Sequence, residues 1–363
     1  MKVLFALDTI GQGGTEKSTL DILSHFSDDV DVRVVYFFPF THLEAHYKKA
    51  GIPVTYVKLH GKRAIVEGTR KLLKIIREEK PDLIVSSLMR ASFYSRFAGK
   101  VSGVPVVGTF VGDSYGEVRA AELKAQKKNF GYLFFRWLDK VTAQMPVYWI
   151  SNGRAIATSS AKALKIPAGK IKVVHRGRDL SAFPQWQPHN DRKNFHFIFI
   201  GRLIESKGLR ELVIAVSKIK EVHPHVKLDI IGEGAFKGTL DRLIEELRLT
   251  DTVIMHGRVT EGWKRLYDAD CFVFPSWREG FSGALVEAMM AGIPIIASDI
   301  PMNLEAVDLN TALVYPVGDA EKLFQKMDEM ISGYPAMVEM GERARELAGN
   351  KFEIRKIASE YEA

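Results

Sequence analysis

Two α/β domains, each organised around a doubly wound parallel sheet, are predicted by three observations. Short apolar runs alternate with helical patterns from end to end, the sign of repeated βαβ units. The 363 residues suffice for about two domains of ordinary size, each able to bury its own core. A polar stretch from Gln185 to Asn194, preceded by Pro184 and carrying Pro188, reads as a linker. The domains are then residues 1–185 and 194–345, two Rossmann-like units facing a cleft, with 346–363 as a terminal helix.

In the first half the strand candidates are Val3 to Leu7, Val32 to Phe37, Leu83 to Ser86, Val104 to Gly108, Tyr148 to Ser151 and Ile171 to His175. The second half repeats the theme with Phe195 to Ile200, Lys227 to Ile231, Val253 to His256, Cys271 to Phe274 and Ile293 to Ala297. Unbroken apolar runs such as Cys271-Phe272-Val273-Phe274 mark strands covered on both faces. Helices are expected over Glu16 to Phe26, Leu209 to Lys218 and Ser282 to Ala291, and the tail Glu339 to Glu362 is helical in composition.

From Phe130 a further helix is predicted, with Phe130, Leu133, Phe134, Trp137, Leu138 and Val141 on one stripe. That stripe is expected to pack on the core. Tyr132 and Phe135 fall outside it, among Lys124, Lys127, Lys128, Arg136 and Lys140, a mixture suited to contact with an anionic membrane.

Charge is distributed unevenly. Residues 1–190 hold 29 Lys and Arg against 16 Asp and Glu, a net of +13, while the remainder is net −6. The first domain therefore suits an anionic partner: a membrane surface, a phospholipid-like acceptor or nucleic acid. No nucleic-acid-binding motif accompanies the charge, so nucleic acid is set aside. The single cysteine, Cys271, lies in a predicted core strand and leaves neither an intramolecular disulfide nor a thiolate metal cluster. The opening apolar run is broken by Asp8, too short for a signal peptide, and no run approaches a membrane span, so a cytoplasmic protein is expected.

The segment from Glu279 through Gly280, Phe281, Ser282 and Gly283 to Glu287 carries the strongest chemical signal. Glu279 lies in a strand-to-helix turn, at the carboxyl end of a parallel sheet, where ligands bind. Glu287 follows just over one turn into the helix. Two carboxylates beside a helix N-terminus make sense if each accepts hydrogen bonds from neutral hydroxyls while something else meets an anion. A nucleotide sugar has both parts: ribose hydroxyls for Glu287, sugar hydroxyls for Glu279, and a diphosphate for the amides of Phe281, Ser282 and Gly283. Taken alone, the pair fits a solvated turn acid and an ordinary helical glutamate better, and only its context favours a ligand.

The run Phe197 to Ile200, followed by Gly201-Arg202 and then Lys207-Gly208 at a helix start, supplies the complement. A cation in a first helical turn opposes the helix dipole and costs stability unless an anion sits there. Arg202 and Lys207 are therefore candidate diphosphate ligands. Gly11-Gln12-Gly13-Gly14 after the first strand is phosphate-friendly but is no dinucleotide fingerprint, because Glu16 stands where the third glycine belongs.

In these residues the chain resembles the family 4 retaining glycosyltransferases of GT-B fold. The resemblance rests on Gly13-Gly14-Thr15-Glu16, Gly201-Arg202, Lys207-Gly208, Gly232-Glu233-Gly234, Tyr267-Asp268-Ala269-Asp270, the Pro275 to Met289 segment, Gly292-Ile293-Pro294 and Glu305-Ala306-Val307. It spans nearly the whole chain and is more specific in the second half. It implies transfer of a sugar from a nucleotide-diphosphate sugar, a UDP-sugar first and a GDP-sugar next, to a hydroxyl of a glycan or lipid-linked acceptor with retained anomeric configuration. Arg202, Lys207 and Glu279 are the implied catalytic residues. No metal or other cofactor is implied, and Asp268-Ala269-Asp270 is read as structural. The resemblance further implies that Gly13 and Gly14 approach the donor phosphates or the acceptor, that backbone near Gly257 and Arg258 contacts the base, and that the tail crosses back over the first domain.

Two departures stand out. Relatives carry a histidine after the strand ending near Phe110, where this chain has Val111-Gly112-Asp113, so Asp113 becomes a candidate polar group for the substrate. His175-Arg176-Gly177-Arg178-Asp179 stands where an Asn-Gly-x-Asp turn is usual. Other readings remain open: a nucleotide-sugar epimerase of the same architecture, or a non-catalytic nucleotide-sugar-binding subunit. A dinucleotide oxidoreductase ranks last, since neither half has an intact G-x-G-x-x-G.

Overall fold

In a computed structural model of the chain, residues 1–11, 13–60, 64–116, 118–119, 130–189 and 193–363 are described, except for the side chains of 64 and 130–132. Lys124, Lys127, Lys128 and the Tyr132 side chain, invoked above for membrane contact, lie outside this set. The chain divides into two units, residues Met1–Gly177 with Ile354–Ala363, and Arg178–Glu353. The boundary thus precedes the proline-bearing stretch read as a linker. Trp186 explains the difference: it is buried in the second unit, its indole donates to the Ala269 carbonyl at 2.9 Å, and its amide donates to the Ala291 carbonyl at 2.8 Å.

In the first unit the strands are β1 (Lys2–Leu7), β2 (Asp31–Tyr36), β3 (Val54–Tyr56), β4 (Leu83–Ser87), β5 (Val106–Phe110), β6 (Tyr148–Ser151) and β7 (Ile171–Val173). They form a parallel sheet in the order β3-β2-β1-β4-β5-β6-β7. The second unit contributes β8 (Phe195–Ile200), β9 (Val226–Ile231), β10 (Val253–Gly257), β11 (Cys271–Phe274), β12 (Ile295–Ser298) and β13 (Leu313–Tyr315). Their order is β10-β9-β8-β11-β12-β13, again parallel throughout. Two strands escape the sequence pattern, Val54–Tyr56 and Leu313–Tyr315. Both are three-residue edge strands, too short to show a period.

Each sheet reverses direction once, between β1 and β4 and between β8 and β11. Such a switch point opens a crevice at the carboxyl ends of the two strands beside it. The segments singled out by sequence follow these strands: Gly13-Gly14 after β1, Arg202 and Lys207 after β8, Glu279 after β11.

The apolar runs are explained by burial on both faces. In the second unit Phe197, Phe199, Cys271 and Val273 join the core on one side of the sheet, and Ile198, Phe272 and Phe274 the core on the other. Buried Cys271 belongs to this core, and burial pushes its thiol well above the ordinary range. The closing helix Ile354–Glu362 is part of the first unit, where Ile354 and Ile357 pack with Val3 and Phe5, and Tyr361 lies against Phe5 and Phe26.

The helix Phe130–Thr142 reverses the facing expected from sequence. Leu133, Phe134, Trp137 and Val141 are exposed, while Leu138 is buried and Phe135 stacks on Phe93 with centroids 5.9 Å apart. The reason is polar. Asp139 and Thr142 both bind the buried Arg96 guanidinium, at 2.6 and 2.8 Å, and an arginine buried in the unit needs those acceptors more than the core needs another aromatic. Among the described residues no helix is long and apolar enough to cross a membrane.

Candidate functional site

In the second unit the site is built by the loops after β8 and β11. After β8 the chain makes a short turn, Glu205–Lys207, before the helix Leu209–Val222. Gly208 closes it at φ 67°, and a Cβ there would stand 2.0 Å from the Pro275 carbonyl oxygen, so only glycine lets the turn lie against the end of β11. The Trp277 amide donates to the Ser206 carbonyl at 2.9 Å and ties the two loops together.

This clasp brings two of the candidate catalytic residues into contact. Lys207 is 9% exposed; its Nζ donates to Glu279 Oε1 and lies 5.4 Å from the centroid of the Phe274 ring. Arg202 is exposed, and its guanidinium has no hydrogen-bond or ion-pair partner among the described residues. Lys207 and Glu279, singled out separately as cation and acid, are therefore joined in one ion pair, with Arg202 left open to an anion.

Ser282 caps the helix Gly283–Ala291, its Oγ accepting from the Leu285 amide at 3.4 Å, and the Phe281 ring is buried edge-on to Phe352. The Gly283 and Ala284 amides make no hydrogen bond among the described residues and remain as donors at the helix start.

Glu287 has a partner that sequence reasoning missed. The Arg178 Nε donates to its Oε1 at 2.8 Å, and both residues are buried. Gly283 is what admits this arginine, since a Cβ there would lie 2.3 Å from Arg178 Nη2. The available signal was the arginine in the departing His175 to Asp179 turn together with a helical glutamate that otherwise had no counter-charge.

The remaining expected positions divide. Gly257 ends β10, its carbonyl accepting from the Gly232 amide at 2.8 Å, and Arg258 beside it is exposed. Asp268 and Asp270 do not converge: Asp268 pairs with Arg265 at 2.7 Å, while Asp270 is buried and accepts from the His196 amide at 2.7 Å. His196 and His256 flank Asp229 at 3.0 and 2.6 Å. Burial works to raise the Asp229 carboxyl, but the hydrogen bonds from the two imidazoles overcome it and hold the group below its ordinary range. Among the described residues no trio of His, Cys, Asp or Glu is arranged to hold a metal ion.

The first unit has its own polar cluster at the carboxyl ends of β4, β5 and β6. Ser87, Thr109 and Asn152 are buried, and Ser87 Oγ, Thr109 Oγ1 and Asn152 Oδ1 have no partner among the described residues. They line a cavity of about 40 Å³ with Thr15 and Arg176, room for a water or one small polar group. Arg176 Nη2 donates to Thr15 Oγ1 at 3.1 Å and to the Val111 carbonyl at 3.4 Å. Sequence reasoning passed over Ser87, Thr109 and Asn152; the visible hint was a small polar residue ending or just following each of three neighbouring apolar strands.

At two expected positions in this unit the structure already places a partner. Gly13 and Gly14 were expected to approach the donor phosphates or the acceptor, and Glu16 lies beside them: its Oε2 is 2.3 Å from where a Gly13 Cβ would stand, and Thr9 donates to its Oε1 at 2.7 Å. A carboxylate in the first turn of the Gly14–Leu23 helix favours the helix dipole and would repel a phosphate. Asp113, the candidate substitute for a histidine, is 7% exposed, with Oδ1 accepting from Ser159 Oγ at 3.1 Å. It fixes its own loop.

Comparison with known proteins places these features. Residues 12–182 match the profile of the family described as Glycosyltransferase Family 4, and residues 183–347 that of Glycosyl transferases group 1. An uncharacterized glycosyltransferase of Methanocaldococcus jannaschii is 29% identical over 273 residues, 68% of this chain and 63% of that protein. The UDP-Gal:alpha-D-GlcNAc-diphosphoundecaprenol alpha-1,3-galactosyltransferase of Escherichia coli is 26% identical over 249 residues, 64% of this chain and 61% of that protein. The matched part of the chain thus spans a little under two thirds of either relative. Among solved structures, HepE of Anabaena in complex with UDP superimposes with a TM-score of 0.84 at 20% identity, over 100% of this chain and 98% of that one.

Proposed function

The chain belongs to the family 4 glycosyltransferases of GT-B fold, and on that footing we propose that it transfers a sugar from a nucleotide-diphosphate sugar to an acceptor hydroxyl. The reading rests on one observation above all: the Lys207–Glu279 ion pair at the carboxyl ends of β8 and β11, with the unpartnered Arg202 after β8. The donor diphosphate lies against Arg202, Lys207 and the amides of Gly283 and Ala284. As it docks it draws the Lys207 ammonium toward itself, and Glu279 then accepts hydrogen bonds from the sugar hydroxyls. Glu287, neutralised by Arg178, contacts the ribose.

Chemistry then consists of departure of the diphosphate while its developing charge is held by groups already in place. No enzyme nucleophile is required. The acceptor hydroxyl attacks the face the diphosphate leaves, passing its proton to the departing phosphate oxygen, and the configuration is retained. No metal takes part, because two cations and a helix start meet the diphosphate charge. UDP is the favoured nucleotide, in keeping with the uridine nucleotides named for HepE and for the Escherichia coli relative. A glycan carried on a lipid diphosphate is the favoured acceptor, as in the name of the latter. A polar group of the acceptor engages the Ser87, Thr109 and Asn152 cluster of the first unit, whose unpartnered atoms call for a polar ligand.

A thermal-shift panel of nucleoside diphosphates and nucleotide sugars tests the reading, since a ligand that binds only the native state raises the melting temperature. UDP and a UDP-sugar are expected to raise it. If no nucleotide does, the proposal fails.

A further inference from the structure

Beneath the closing helix Ile354–Glu362 the first unit holds a cavity of about 230 Å³. It lies toward the amino ends of the strands, away from the crevice at their carboxyl ends: Leu83, Val107 and Tyr148 on its wall are each the first or second residue of β4, β5 and β6. Val85 and Val107, paired in register, form its floor on one face of the sheet, and Phe26 and Tyr361 face them. Protein interiors are packed about as densely as organic crystals and hold few voids larger than a water molecule. An apolar void of about 150 Å³ already takes up benzene. This one is larger, and it opens to the surface beside the exposed Tyr148.

Lys172 interrupts the apolar lining. It pairs in register with Ile150, so its side chain stands on the cavity's face of the sheet. Its Nζ donates to the Glu360 carbonyl at 2.7 Å, and its other two donors have no partner among the described residues. Glu362, the acidic side chain on the cavity wall, is turned to the Ser27 amide, which donates to its Oε1 at 2.5 Å. A neutral hydrocarbon in the cavity would leave the ammonium without an acceptor, and a small anion would leave the apolar wall uncovered. A molecule with an apolar chain and an anionic head satisfies both.

We propose that this cavity binds a fatty acid, with its chain between the sheet and the closing helix and its carboxylate on Lys172. The bound chain braces that helix against β1 and β4. Because the cavity sits at the opposite ends of the strands from the crevice, this binding does not depend on whether the chain transfers sugar.

The test is isothermal titration of the full chain with decanoate, below its micelle concentration, and with decanol. Decanoate should bind at one site per chain and raise the melting temperature. Lys172→Met should weaken decanoate binding by about tenfold or more, the loss of a hydrogen bond from a charged group, while decanol binding stays constant. The decanol arm separates loss of the charge from any loosening of the helix that Lys172 holds through Glu360. Val107→Phe fills the cavity and should abolish binding of both ligands with the melting temperature kept or raised. Val107→Leu is the smaller filling change should the larger one not fold, and it should weaken both ligands. No decanoate binding by the wild type overturns the proposal. So does binding that the folded Val107 variant leaves unchanged, or a Lys172→Met loss equal for decanoate and decanol. UDP affinity of the same samples reports on the transfer reading separately.

Discussion

Removing the Arg178 guanidinium while keeping Glu287 leaves a carboxylate buried without its charge partner, and the consequences separate a structural from a ligand-binding role. Both residues are buried, joined at 2.8 Å, so the pair belongs to the class in which loss of one partner costs about 3–5 kcal/mol. For a domain of this size, about 2–4 °C of melting temperature accompanies each kcal/mol. Arg178→Met is therefore expected to lower the transition of the second unit by about 6–20 °C. Replacing both members, Arg178→Met with Glu287→Leu, removes the unpaired charge and should recover most of that loss, since an apolar pair of similar volume is often no less stable than a buried ion pair. UDP affinity should not recover, because the ribose loses its carboxylate. Differential scanning calorimetry and isothermal titration of UDP on wild type, both single variants and the double variant measure the two quantities. A double variant that melts as low as the single one, or that binds UDP like wild type, refutes the reasoning.

Arg202→Ala and Lys207→Ala should each reduce transfer by about a hundredfold, the effect of losing one charged donor worth on the order of 3 kcal/mol in the transition state. Glu279→Ala should abolish transfer, and steady-state rates with donor and acceptor decide whether these residues act as assigned. Thr109→Val removes a buried hydroxyl that has no partner, so the melting temperature should hardly move while acceptor KM rises and UDP affinity stays constant; a changed UDP affinity would contradict its placement on the acceptor side. Asp8 supplies a pH dependence. Its carboxylate accepts from the Ala91 amide at 2.6 Å, yet burial outweighs that bond and pushes the group from 3.8 to about 6. A raised carboxyl stabilises the fold only below its unfolded value and loses that contribution as pH rises through about 6, a difference of ~3 kcal/mol by pH 8. Asp8→Asn should accordingly melt higher than wild type at pH 8, with the advantage vanishing toward pH 4; an equal gain at both pH values would exclude this origin.

The sheets were legible because their strands are buried on both faces and appear as unbroken apolar runs, as at Phe197 to Ile200 and Cys271 to Phe274. The site segments were legible because strand-end glycines and charges fall at fixed places in a parallel sheet. Contacts between distant side chains were not. Nothing in the spacing of Arg178 and Glu287, 109 residues apart, shows that they touch, and the Lys207–Glu279 pair spans 72. The Phe130–Thr142 helix shows the same limit differently. Its period was evident, but the inward face was decided by Arg96, a buried cation on another helix whose acceptors are Asp139 and Thr142. Periodicity identifies an amphipathic helix, while the side that packs depends on the neighbour.

The most direct measurement is a crystal structure of the chain with UDP. The diphosphate is expected within hydrogen-bonding distance of the Arg202 guanidinium, the Lys207 ammonium and the Gly283 and Ala284 amides, with the ribose hydroxyls on Glu287. A diphosphate bound at the start of the Gly14–Leu23 helix, with Lys207 still closed on Glu279, would contradict it.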